Sequence, residues 1–91
     1  MTSRTNQPRY QKDCRILWVM LKDEIVLRNY STNVAIQLDP QRRRVWELLD
    51  GAHTQTQITE KLRSDRGFGL GAADIADLIA TLEINGFLVR T

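Results

Sequence analysis

The chain has 91 residues, 42% of them hydrophobic and 26% charged, with a formal net charge of +2. That length suits one compact domain, and no apolar run reaches the ~20 residues needed to span a bilayer as a helix. The single cysteine, Cys14, and single histidine, His53, supply neither an internal disulfide nor a Cys/His metal set. The charge is uneven: residues 1–22 carry a net +4 and residues 23–91 a net −2, so the basic balance belongs to the first strand and the tail rather than to the body.

Residues 1–9 are polar, include Pro8 and show no periodicity, which predicts a disordered tail ahead of a domain over residues 10–91. The opening lacks the apolar stretch of a secretory signal, so the expected setting is reducing and cytoplasmic. Arg15-Ile-Leu-Trp-Val-Met-Leu-Lys22 is short, apolar and flanked by cations, and reads as a strand. Asp23-Glu24 reads as a tight turn, and Ile25-Val26-Leu27-Arg28 as the second strand of a hairpin. Asn29–Asn33 is rich in turn formers. In Val34-Ala35-Ile36-Gln37-Leu38 large apolar residues alternate with smaller or polar ones, the pattern of a half-buried third strand.

At Asp39-Pro40 the period changes. Asp39 suits an N-cap and Pro40 the first helical position, which predicts a helix to about Leu49 or Asp50, stopped by Gly51. Thr54 is expected to cap a second helix carrying Ile58 and Leu62 and ending near Arg66. After the glycine-rich Gly67–Gly71, Ile75, Leu78, Ile79 and Leu82 recur at i, i+3, i+4 and i+7 of a third helix ending at Asn85-Gly86. Phe87-Leu88-Val89 is expected to fold back on the body. Three strands followed by three helices, each helix too short to stand alone, predict an α+β, winged-helix-turn-helix-like fold with one three-stranded antiparallel sheet. If strand order follows the chain, residues 34–38 form an outer edge with neither charge nor proline to blunt it. Such an edge is open to a strand from another chain.

The segment from Asn33 through Val45-Trp46-Glu47-Leu48-Leu49-Asp50-Gly51, then Thr54, Thr56 and Ile58, and finally Asp74-Ile75, Leu78, Leu82 and Gly86-Phe87-Leu88, resembles the PqqD-like family. These are the recognition elements of ribosomally synthesised and post-translationally modified peptide (RiPP) pathways. The resemblance covers about residues 15–90. It implies a non-catalytic peptide chaperone on which the leader of a precursor peptide adds as a strand to the third strand, against the third helix. The precursor is then presented to a maturation enzyme, such as a radical-SAM enzyme, a lasso-peptide protease or a cyclodehydratase. Carried over by position, the resemblance places Val34, Ala35, Ile36 and Gln37 on one side of the peptide groove and Asp74, Asp77, Leu78 and Thr81 on the other. Arg42-Arg43-Arg44 and the glycine-rich loop depart from the family pattern. No cofactor, metal, membrane or nucleic acid is implied.

The alternative is a winged-helix DNA-binding regulator. In that fold the third helix enters the major groove and offers Arg, Lys, Asn or Gln to base edges. Residues 72–86 contain Asp74, Asp77 and Glu83 and no Lys or Arg, a net −3 that phosphates repel. The Gly67/Gly69/Gly71 run lacks the preceding strand and following Lys-Ser/Thr of a phosphate loop, and no nucleophile–base pair or paired-carboxylate motif marks a catalytic site. Trp18 and Trp46 read as core or sheet-face aromatics, Arg42-Arg43-Arg44 as a solvated turn or a docking surface, and His53 as part of a helix–helix turn.

Overall fold

The structure, a computed structural model, describes residues 8–90. Its elements run β1 (Arg9–Lys12), β2 (Ile16–Leu21), β3 (Glu24–Asn29), β4 (Val34–Leu38), α1 (Pro40–Glu47), β5 (Asp50–Thr54), α2 (Gln55–Arg63), α3 (Ala72–Ile84) and β6 (Leu88–Arg90). The fold is α+β, with the expected antiparallel sheet in the order β2-β3-β4. A second antiparallel sheet, ordered β5-β1-β6, was not anticipated. The tail expected over residues 1–9 lies outside the described residues for 1–7, and Arg9 already belongs to β1.

The two-residue turn Lys22-Asp23 closes the β2–β3 hairpin, with Leu21 opposite Glu24. Lys22 has a positive φ of 59°, which the primed hairpin turns require at their first central position. The turn thus sits one residue earlier than Asp23-Glu24. β3 is the central strand: Ile25 and Leu27 are buried, and opposite them on β4 stand Leu38 and Ile36.

Asp39 caps α1, accepting from the Arg42 N–H at 2.8 Å, with Pro40 in the first turn. α1 stops at Glu47, and Asp50–Thr54 is a strand rather than a helix end and turn, so His53 lies in β5. Thr54 caps α2 through a reciprocal box with Gln57, and α2 ends at Arg63, short of Arg66. α3 starts from Gly71, whose N–H donates to Asp74 Oδ2 at 3.0 Å. The chain then turns at Gly86 (φ 84°), buries Phe87 completely, and returns as β6 beside β1, with Tyr10 opposite Arg90 and Lys12 opposite Leu88.

The core gathers Leu27 and Leu38 from the sheet, Val45, Trp46 and Leu49 from α1 and its end, Ile58 from α2, and Ile75, Ile79 and Leu82 from α3. Trp46 is buried, but Trp18 is 57% exposed. Each member of the arginine run has an acidic partner: Arg42 pairs with Asp39, Arg43 with Glu47, and Arg44 with Asp65. The glycine loop is held to α1 by Gln41, whose side-chain amide donates to the Gly67 carbonyl and accepts from the Gly69 N–H, each at 2.8 Å. Among the described residues no helix is long and apolar enough to cross a membrane.

Candidate functional site

The outer edge of β4 faces α3 across an open groove of about 300 Å³ lined by Ile36, Gln37, Leu38, Arg42, Asp74, Asp77, Leu78 and Thr81. Among the described residues no strand pairs with this edge. Its backbone polarity follows from the ladder. The Tyr30 N–H donates to the Arg15 carbonyl at 3.1 Å, so on β3 the backbone groups of residues 24, 26 and 28 turn toward β2 and those of 25, 27 and 29 toward β4. Residues 34, 36 and 38 of β4 sit opposite 29, 27 and 25 and spend their backbone groups on β3. The free donors and acceptors of the outer edge are therefore those of Ala35 and Gln37, which face out into solvent.

The groove has an apolar floor and a polar rim. Leu38 is 1% and Leu78 6% exposed, while Ile36 is half-buried and packs against the core. Asp74, Asp77 and Thr81 are exposed on consecutive turns of α3. On the opposite rim, the Gln37 side-chain amide donates to Glu24, and the Arg42 guanidinium donates to Asp39 at 2.6 Å. The Arg42 backbone N–H and then its guanidinium hold the Asp39 carboxyl below its usual range.

Of the residues expected from the sequence, Ile36, Gln37, Asp74, Asp77, Leu78 and Thr81 meet around this groove. Val34 and Ala35 share the strand but lie outside the groove lining, Val34 packing against the core and Ala35 facing solvent. Sequence reasoning missed Leu38 and Arg42. Leu38 completes the 34/36/38 alternation, and Arg42 sits one helical turn after its Asp39 cap, so both carried a readable signal.

Asn29 ties the sheet to the end of α3, and nothing in its sequence context announced it. It is fully buried. Its amide donates to the Gly86 carbonyl, and its side-chain oxygen accepts from the Ser31 and Thr32 N–H groups at 2.8 and 3.3 Å. The β3–β4 turn is thereby fastened to the C-terminal end of α3. A Cβ added at Gly86 would come within 3.2 Å of the Asn29 amide nitrogen, so the close approach needs glycine as much as the positive φ does.

No family model matches this sequence, and no curated protein matches it. Solved structures do. TbiB1 in complex with the TbiA(beta) leader peptide is 18% identical, with a TM-score of 0.68 over 86% of this chain and 93% of that one. Lasso peptide synthetase B1 complexed with the leader peptide is 19% identical, with a TM-score of 0.72 over 89% of this chain and 98% of that one. The heterocyclase TruD is 17% identical, with a TM-score of 0.66 over 92% of this chain but only 12% of the enzyme. At these identities the likeness establishes a shared fold: this chain has the architecture of TbiB1 and lasso peptide synthetase B1, and of a small part of TruD.

Proposed function

We propose that this chain is a RiPP recognition element of the PqqD-like kind: a non-catalytic module that binds the leader of a ribosomal precursor peptide and presents it to a maturation enzyme. The observation that carries this reading is the β4 edge, which no strand among the described residues pairs with, and whose Ala35 and Gln37 turn their backbone groups outward beside an apolar-floored groove against α3. An extended peptide laid along that edge gains main-chain hydrogen bonds, and its alternate side chains reach Ile36, Leu38 and Leu78. Two proteins of this fold were solved with leader peptides, which supports the same class of ligand here.

The mechanism is binding followed by presentation. A disordered leader loses entropy on becoming a strand, which holds the affinity to a moderate level. Once tethered, its core peptide reaches the enzyme at a raised effective concentration. A radical-SAM enzyme, a lasso-peptide protease and a cyclodehydratase all fit that scheme. DNA binding finds no support in α3, whose charged residues are Asp74, Asp77 and Glu83.

The test is fluorescence anisotropy with labelled leader peptides from precursor genes neighbouring this one, against wild type, Ala35→Pro and Gln37→Pro. Proline at either position removes an outward N–H without cutting the β3 ladder, so the fold survives and the dissociation constant rises at least about tenfold. Folded variants that bind every leader as tightly as wild type would rule out strand addition at β4.

A further inference from the structure

β2 is the other edge of the same sheet, and it is apolar on both faces. Leu17, Trp18, Val19, Met20 and Leu21 are 52, 57, 57, 40 and 50% exposed. On the core side, Trp18 and Met20 border a second cavity of about 490 Å³ shared with Lys12, Ile25, Arg43 and Trp46. On the outer side stand Leu17, Val19 and Leu21, opposite Arg28, Val26 and Glu24 of β3. No strand among the described residues pairs with this edge, and five consecutive large apolar residues along it with no charge among them mark an interface rather than a solvated strand.

The strand's own sequence identifies the occupant. We propose that β2 pairs antiparallel with β2 of a second copy of this chain, about a two-fold axis at Val19, to give a six-stranded sheet ordered β4-β3-β2-β2-β3-β4. Two features fix this register, the polarity of the ladder and the extent of the apolar run. The Tyr30-to-Arg15 bond shows that residues 15, 17, 19 and 21 spend their backbone groups on β3, so those of Ile16, Trp18 and Met20 face the open edge. Centring on Val19 sets Trp18 of each copy opposite Met20 of the other, so outward groups meet outward groups. It keeps both cores on the same side of the sheet, with Trp18 packed on Met20 on the inner face and Leu17 on Leu21 on the outer.

The extent of the strand agrees as well. This register pairs the whole exposed run, residues 17–21 of one copy against 21–17 of the other, and stops short of the Lys22-Asp23 turn. Its neighbours with the same parity do worse: centring on Trp18 sets Leu21 against Arg15, outside the strand, and centring on Met20 sets Leu17 against Asp23 of the turn. The β4 edges lie at the two far ends of the joined sheet, about 24 Å apart at ~4.8 Å per strand, so the dimer leaves both grooves free. It carries two peptide sites, and its formation does not depend on what those sites bind.

Sedimentation velocity of the full chain over a concentration series tests this, together with disulfide trapping in a Cys14→Ser background. Wild type is expected to sediment as a dimer. Val19→Lys sets like charges across the axis at an exposed position and is expected to raise the dimer dissociation constant at least about tenfold, with an unchanged circular dichroism spectrum. Val19→Cys is expected to crosslink to itself under mild oxidation, since non-hydrogen-bonded antiparallel pairs hold their Cα atoms about 4.5 Å apart. Leu17→Cys is expected to crosslink with Leu21→Cys but not with itself. A wild type that stays monomeric to about 1 mM, a dimer insensitive to Val19→Lys, or self-crosslinking of Leu17→Cys as fast as that of Val19→Cys would overturn the proposal.

Discussion

The two outer edges of the β2-β3-β4 sheet, each free of charge and proline, sit in different surroundings. β4 alternates: Val34, Ile36 and Leu38 turn to the core, Ala35 and Gln37 to solvent, and α3 stands over its edge to make a groove. β2 does not alternate; its residues are apolar on both faces, and past Ile16 all are exposed. A one-sided strand beside a helix makes a trough that selects side chains, whereas a two-sided apolar strand makes a ribbon that selects another ribbon. On the proposed reading, specificity at β4 comes from the α3 wall, and at β2 from the strand's own self-complementary sequence.

The largest expected contrast is in stability. Leu78 lies under the β4 groove and is 6% exposed, whereas Leu17 on β2 is 52% exposed. Leu78→Ala is expected to cost about 2–5 kcal/mol, and Leu17→Ala in the monomer to stay within about 0.5 kcal/mol, both read from urea unfolding midpoints. Equal costs would mean that β2 packs against something within its own chain.

Next comes the Asn29 latch between the β3–β4 turn and the end of α3. Asn29→Ala strips partners from the Gly86 carbonyl and from the Ser31 and Thr32 N–H groups. A loss of about 1–3 kcal/mol follows, together with weaker peptide binding at β4 and no change in association through β2. Peptide affinity equal to wild type in a folded Asn29→Ala would show that the groove does not need this latch.

A third expectation concerns acid. The Asp13 carboxyl is held down to about 2, from an ordinary 3.8, chiefly by the Arg15 guanidinium that hydrogen-bonds it. A depressed carboxylate stabilises the fold above its unfolded value and loses that contribution as pH falls through its folded one. Stability should therefore drop between about pH 3.8 and about 2, less steeply in Asp13→Asn.

The smallest effect is expected at the groove rim. Asp77 is exposed on α3, so Asp77→Asn should change the affinity for a basic leader by no more than about 1 kcal/mol, and raised salt should weaken the wild type by a similar amount. Titrations in low and high salt read it directly; a much larger change would make charge, not strand pairing, the main source of affinity.

How much of this was legible in the residues depends on where apolar side chains carry the structure. The β4–α1 boundary was written in Asp39-Pro40, the α3 face in Ile75, Leu78, Ile79 and Leu82, and the return of the chain in Phe87. The second sheet was hidden because its strands are held by backbone pairing. Arg9-Tyr-Gln-Lys12 buries Tyr10, and Asp50-Gly-Ala-His-Thr54 reads as a turn. Trp18, read as a core or sheet-face aromatic, stands on the inner sheet face yet is 57% exposed, because an apolar run does not tell how far its face is covered. At the site, the α3 residues and Ile36 were readable, while Asn29 was not, because a turn asparagine looks the same whether it faces solvent or fastens a helix end.

The most direct measurement of the central claim is amide hydrogen exchange at Ala35 and Gln37, with and without a bound leader peptide. Strand addition at β4 predicts that both amides exchange rapidly in the free protein and become protected on binding, while the Ile36 amide, already paired with β3, changes little. A peptide that binds and leaves Ala35 and Gln37 exchanging as before would contradict the account.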